Sequence, residues 1–244
     1  MKRIVVSLTF TVMAVASAFA QDKTAMPTVD QVLDKYVQAI GGKAAIQKQT
    51  SRVGKGTFEV PTFGASGPIE IYAKAPNRTF STINIDGFGV VQQGFTGTAG
   101  WSSDPQNGLR ELSGGELAAA KLDAEFYRDV KLKELYPKME LKGKEKLASG
   151  EAYVVIATPA NGSPETFYFD TQSGLLVRQD AKRETQQGIL NVQVLLEDYK
   201  EVDGVKIPFT IKQNSDAISF VIRLTEIKHN VAIDDAKFNK PSGQ

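Results

Sequence analysis

The side chains that most often carry catalysis or bind metals are sparse in this 244-residue chain. Cysteine is absent and histidine occurs once, as His229. That removes thiolate nucleophiles, thiolate zinc sites and any centre built from clustered imidazoles. His229 stands between Lys228 and Asn230 at the polar end of a strand-like run, the setting of a surface histidine. Gly41-Gly42-Lys43-Ala44 lacks the upstream glycine and the Ser/Thr of a phosphate loop and reads as a helix stop. Gly64-Ala65-Ser66-Gly67 lacks the spacing and context of a nucleophile elbow and reads as a turn. The acidic pairs Glu197-Asp198 and Asp234-Asp235 could serve acid–base or calcium chemistry. Neither sits in the ligand spacing of a calcium loop, so both read as solvated strand ends. Asn77-Arg78-Thr79 and Asn161-Gly162-Ser163 match glycosylation sequons, incidental behind a leader of bacterial type. No catalytic residue, metal ligand or cofactor motif emerges, and the expectation is a protein that is not an enzyme.

The leader is the most explicit signal. Lys2 and Arg3 precede an apolar run from Ile4 to Ala16, and Ala18-Phe19-Ala20 is a small-x-small cleavage pattern. The run is shorter than a membrane span, and Gln21-Asp22-Lys23 follows at once. Residues 1–20 are therefore expected to be a signal peptide cut after Ala20, leaving residues 21–244 as a single periplasmic domain. Without a cysteine after the cut there is no site for a lipid anchor. Cleavage removes two of the 29 basic residues, leaving 27 against 28 acidic ones and a net charge of −1. That balance invites neither nucleic acid nor an anionic membrane surface. With no disulfides available, burial of apolar surface must hold the fold.

The elements follow from periodicity. Thr28 and Gln31 have capping-box spacing, and Val29, Leu33, Tyr36, Val37 and Ile40 recur at helical intervals before Gly41-Gly42. A short helical turn from Lys43 to Lys48 follows. From Arg52 the pattern changes to short alternating runs broken by Pro61, Gly64, Gly67, Pro76-Asn77 and Asp86-Gly87, an antiparallel meander. Between Gly115 and Tyr136 two apolar stripes, Leu117/Ala120/Ala124/Tyr127 and Leu122/Phe126/Val130, predict a helix wide enough in its apolar girth to cover a core or a hollow. Strands return from Ala152 to Ile227, separated by turn signals such as Asn161-Gly162, Gln187-Gly188 and Asp203-Gly204. About ten strands are expected, an α+β fold: a strongly curved antiparallel sheet, or half β-barrel, covered by an N-terminal helix and a central helical lid. Periodicity leaves open whether the interior is packed or hollow.

The order of parts resembles the LolA-type periplasmic lipoprotein carriers and their half-barrel lipid-binding superfamily. The matching pieces are the N-terminal helix, Tyr72-Ala73-Lys74-Ala75-Pro76-Asn77-Arg78 leading into a strand, and the Gly-rich approach to Trp101 and Asp104-Pro105. The helical segment from Gly115 to Tyr136 follows, then Phe169-Asp170-Thr171-Gln172-Ser173-Gly174-Leu175, the stretch from Tyr199 through Asp203-Gly204 to Pro208, and Ala236-Lys237-Phe238-Asn239-Lys240-Pro241. The resemblance implies a bent sheet whose concave face, closed by helices, holds the acyl chains of a lipid or lipoprotein, in envelope transport or outer membrane biogenesis. One departure stands out. The carriers place a lid-latching arginine just before this Pro-Asn pair, where this chain has Ala75, and Lys74 points to the opposite face, so that latch is expected to be missing. The candidate ligand-binding walls are Phe58, Tyr72, Phe80 and Trp101, then Leu122, Phe126 and Val130 of the lid, then Phe167, Phe169, Phe209, Phe220 and Ile222. An aromatic on an apolar strand face is more often core than ligand wall. The alternative is an envelope interaction or stress-sensing module using the same fold to bind a protein partner.

Overall fold

The computed structural model describes residues 26–185 and 188–241; the expected signal peptide lies outside the described residues. Helix α1 (Val29–Ala39) opens with the reciprocal box that the sequence suggests. Thr28 Oγ1 accepts from the Gln31 N–H at 3.2 Å, and Gln31 Oε1 accepts from the Thr28 N–H at 2.8 Å. Its buried face is Val32, Leu33 and Tyr36. The chain leaves the helix through Gly41 at φ +120°, where a β-carbon would lie 2.1 Å from the Gly204 carbonyl oxygen, so only glycine fits. Helix α2 (Lys43–Gln47) is a single short turn that buries Ile46.

One antiparallel meander follows: β1 (Ser51–Val60), β2 (Ala65–Lys74), β3 (Arg78–Ile85), β4 (Gly89–Phe95), β5 (Gly100–Asp104) and β6 (Gly108–Glu111). Asp86-Gly87 makes the β3–β4 turn, with Gly87 at φ +73°. A second meander runs β7 (Lys138–Leu147), β8 (Gly150–Thr158), β9 (Glu165–Asp170), β10 (Leu176–Thr185), β11 (Gly188–Val202), β12 (Val205–Ser215) and β13 (Phe220–His229). β13 pairs with β1, fusing both meanders into one sheet ordered β6-β5-β4-β3-β2-β1-β13-β12-β11-β10-β9-β8-β7. The sheet has 13 strands rather than about ten. The strand that sequence reading passes over most easily is β7, whose Lys138-Met-Glu-Leu-Lys-Gly-Lys-Glu-Lys-Leu147 is too charged to suggest a sheet interior. It lies at the sheet edge, where charge is tolerated and discourages edge-to-edge pairing.

The central segment is not one helix. It divides into α3 (Gly114–Asp123), a 3₁₀ turn at Arg128–Val130, and α4 (Leu132–Leu135). Ser113 takes the N-cap position without making a side-chain cap bond. The break has a physical cause: the Phe126 N–H leaves the helical ladder and donates to the Pro76 carbonyl at 2.9 Å.

Curvature follows from where α3 rests. It packs against both β5 and β10, which stand eight strand steps apart in the sheet. On a flat sheet that separation would be about 38 Å, whereas ten helical residues span about 15 Å. The sheet therefore bends far enough to bring β5 and β10 to opposite sides of one short helix. Gly115 makes this approach possible, because a β-carbon there would lie 1.9 Å from the Glu184 carboxylate of β10. Among the described residues no helix is long and apolar enough to cross a membrane.

Candidate functional site

Register assigns each side chain to a face, since cross-strand partners share a face and sequence neighbours alternate. Phe58 stands opposite Ile222, and Gly56 opposite Ile69, which in turn faces Ile83. These residues share the helix-covered face. Tyr72 stands opposite Phe80, Phe80 opposite Gly94, and Gly94 opposite Trp101, all on the other face.

The helix-covered face is divided. Under α1, α2, α4 and the 3₁₀ turn it is a packed core in which Tyr36, Ile40, Leu132 and Tyr136 meet Val155, Phe167, Phe169, Ile207 and Phe209. The Tyr36 and Phe169 ring centroids are 5.2 Å apart, and the Tyr136 ring stands edge-on to Phe167 at the same distance. Farther along the same face lies a second apolar cluster made only of sheet residues: Phe58, Val60 and Ile69, with Ala65, Ile71, Ile83, Ile85, Phe220 and Ile222 partly buried around them. Among the described residues no helix contributes to it. α3, which crosses in front, has no fully buried residue; Leu117, Ala118, Ala119 and Ala120 all remain partly accessible.

Of the wall residues expected from sequence, the structure brings Phe58, Phe220 and Ile222 to this sheet-only cluster, with the Phe58 and Phe220 rings 5.0 Å apart. Phe167, Phe169 and Phe209 lie in the packed core, with Leu122 and Val130 against its margin. Phe126 sits on the lid against Tyr127 and above Arg52. Tyr72, Phe80 and Trp101 point away, because period-two alternation turns them to the outer face. There the C-terminal segment covers them: Phe238, fully buried, packs on Phe80 and Trp101, and the Trp101 Nε1–H donates to the Phe238 carbonyl at 3.0 Å. Ile69, Ile71, Ile83 and Ile85 were legible as strand alternation but not as wall residues, because alternation alone does not tell which face the helices cover.

The end of the sheet opposite α1 is fringed with apolar side chains. Antiparallel order brings the β1–β2, β3–β4 and β12–β13 turns and the start of β11 to one end. Phe63, Phe88, Ile218 and Ile189 stand exposed there, Phe63 by 72% and Ile189 by 68%. They rim the cluster containing Val60, Ile85 and Phe220.

The lid is tied to the sheet by polar groups. Glu165, 2% exposed, accepts from Arg183 Nη1 at 2.6 Å on one oxygen. Its other oxygen accepts from Gln179 Nε2 at 2.7 Å, the Tyr136 hydroxyl at 2.8 Å and Arg128 Nη2 at 3.3 Å. Arg128 also donates to the Tyr136 hydroxyl at 2.7 Å. Burial pushes the Tyr136 phenol up, and Glu165 adds to that despite the opposing Arg128 cation. At the other end of the lid the Arg110 guanidinium grips Glu116 through two bonds of 2.7 and 2.8 Å. Tyr127 donates to the Gln49 carbonyl at 2.9 Å, and Tyr36 donates to Asp129 at 2.7 Å. The arginine missing at Ala75 does not leave that turn unattached, since the Phe126 N–H holds the neighbouring Pro76 carbonyl. The lid is thus fastened by bonds that sequence reading did not foresee.

Arg52 is the exception among these cations. It lies on the helix-covered face at the start of β1, with its guanidinium 6.0 Å from the centre of the Phe126 ring. Two open recesses of mixed lining, of about 520 and 700 Å³, lie elsewhere, around Asp180, Gln193 and Asn214 and around Lys74, Asn230 and Asp234. Neither includes the sheet-only apolar cluster.

No family model matches the sequence, and no curated protein matches it. Solved structures do match the fold. A DUF1329 family protein from Desulfovibrio piger superposes with a TM-score of 0.57 at 15% identity, over 88% of this chain and 98% of that one. A LolA superfamily protein from Nitrosomonas europaea gives 0.57 at 13% identity, over 88% and 99%. A domain from Vibrio parahaemolyticus named for outer membrane lipoprotein sorting gives 0.55 at 10% identity, over 87% and 98%. The chain has a divergent LolA-like fold.

Proposed function

We propose that this protein is a non-enzymatic periplasmic carrier that holds the acyl chain of a lipid or lipoprotein between its sheet and its lid. It is exported by the segment ending at Ala20, and residues 21–244 act as one domain. The observation that carries this reading is the apolar cluster around Phe58, Ile69, Ile83 and Phe220, to which, among the described residues, the sheet alone contributes. A carrier fold needs such a surface unfilled by its own side chains. Each methylene buried there contributes about 0.8 kcal/mol, so a chain of roughly sixteen carbons could gain around 12 kcal/mol before ordering costs. Entry is at the rim of Phe63, Phe88, Ile189 and Ile218, where hairpin tips with exposed apolar ends meet the bilayer surface from which the chain is drawn. The fold's likeness to a domain named for lipoprotein sorting agrees with this reading.

The test is native mass spectrometry with lipid extraction of the protein purified from the periplasm. Recovery of a noncovalent lipid, and its re-uptake by the stripped protein, is the expected result. A stoichiometric protein partner without lipid, and no uptake by the stripped protein, would favour an interaction module instead.

A further inference from the structure

Arg52 presents an unusual combination of position and contacts. Burial of this group draws its guanidinium below its ordinary range, with Asp129 and Tyr36 pulling the other way. Yet its side chain is still partly accessible, as for a group that lines internal space rather than one locked into packing. Among the described residues it makes no hydrogen bond and no ion pair. Asp129 acts on its charge through space without a hydrogen bond to it, and accepts instead from the Tyr36 hydroxyl at 2.7 Å. Each arginine of the lid tie, by contrast, has a carboxylate partner: Arg128 and Arg183 pair with Glu165, and Arg110 with Glu116. A half-buried guanidinium with five donors and no acceptor from the protein is a ready site for an anion.

Its surroundings describe the rest of that anion's molecule. On the same face of β1, Gly54 and Gly56 follow Arg52 without side chains of their own, and then come Phe58 and Val60. Gly54 stands opposite Ile71 and Gly56 opposite Ile69. From Arg52 to Val60 the strand rises about 27 Å, from the end of the sheet near α1 to the apolar rim. The line runs from a cation without a hydrogen-bonding partner, through apolar wall, to an apolar mouth.

We propose that Arg52 is the anchor for the anionic head of a single-chain amphiphile, a fatty acid or a lysophospholipid, which enters head first and lays its chain along β1 toward the rim. This rests on the carrier reading and sharpens it. A head held deep inside and a chain leading out suit a free amphiphile better than the lipid end of a lipoprotein, whose protein part must remain outside.

The test compares palmitate, lysophosphatidate and hexadecanol binding to the stripped full chain, with Arg52→Gln and Arg52→Lys beside the unaltered protein. Palmitate or lysophosphatidate should bind more tightly than the uncharged alcohol, and which of the two leads identifies the head as carboxylate or phosphate. Arg52→Gln should weaken the charged ligand by about tenfold to a hundredfold while leaving hexadecanol unchanged, and Arg52→Lys should retain most of the preference. Equal losses for acid and alcohol, or unchanged palmitate binding in Arg52→Gln, would overturn the anchor while leaving the hollow standing. Failure of the unaltered protein to take up any of the three would remove both. Unfolding curves of each variant separate loss of the anchor from loss of the fold.

Discussion

Arg183 of β10 donates to Glu165 of β9 at 2.6 Å, and onto that pair the lid lowers Arg128 and Tyr136. The carboxylate is buried and surrounded by donors, and together with Asp123, 3.3 Å from Arg128 and 3.7 Å from Arg183, it balances the two guanidinium groups. Glu165→Leu leaves Arg128 and Arg183 to share the half-exposed Asp123 as their counter-charge. It is expected to cost about 3–5 kcal/mol in urea unfolding. Glu165→Gln, which keeps the shape but not the charge, should also destabilise. A change within 0.5 kcal/mol, roughly the level of an ordinary surface substitution, would show that the cluster does not hold the lid.

The C-terminal segment closes the outer face at Trp101, the only tryptophan of the chain, which is 1% exposed. Phe238→Ala should cost about 3–5 kcal/mol and shift the indole emission to longer wavelength as water reaches the ring. Because Phe238 lies on the face away from the lid, ligand affinity of the folded variant should stay unchanged.

At the rim, Phe63 and Ile189 contribute little to packing. Phe63→Ser with Ile189→Ser should leave stability within about 0.5 kcal/mol for each site. Transfer of a fluorescent fatty acid between the protein and phospholipid vesicles should nevertheless slow. Unaltered transfer kinetics would place the entry elsewhere.

The single histidine, expected from sequence at the surface, has a side chain only 3% exposed, and its burial gives a pH dependence with a definite sign. Burial holds the His229 imidazole below its usual 6.5, even though Asp203 Oδ2 stands 3.1 Å from Nδ1, and the Arg52 cation on the neighbouring strand opposes protonation further. Between that depressed value and 6.5 the unfolded chain holds more protons than the folded one. Stability should therefore fall as pH drops below 6.5 and recover as it rises. Glu70, held below its usual 4.5 by hydrogen bonds from Tyr72 and Lys55, adds a second loss that begins under that value. Titration of the unfolding midpoint from pH 7 to 4 should show both, and His229→Gln should flatten only the upper limb.

Local rules made much of the architecture readable. Thr28 and Gln31 announce the first helix because a capping box is complete within four residues, and Asp86-Gly87 announces a hairpin for the same reason. β7 escapes notice because an edge strand needs no apolar alternation. The lid breaks where Phe126 bonds to Pro76, fifty positions away, which no helical period encodes. The faces explain what remained hidden in the site. Tyr72 and Ile71 look equally suited to a greasy wall, yet one residue of alternation sends Tyr72 to Phe80 and the outer face, and Ile71 to the sheet-only cluster. Arg52 carries no motif; its meaning comes from the hydrogen-bonding partners it lacks.

Isoleucine methyl resonances test the central claim most directly, because the two halves of the helix-covered face both carry them. Titrating palmitate into protein labelled at Ile δ1 methyl groups should move Ile69, Ile71, Ile83, Ile85 and Ile222, the sheet-only cluster, and leave Ile40, Ile46 and Ile207 of the packed core in place. Shifts confined to the packed core, or none at saturating ligand, would contradict an acyl chain lying on that part of the sheet.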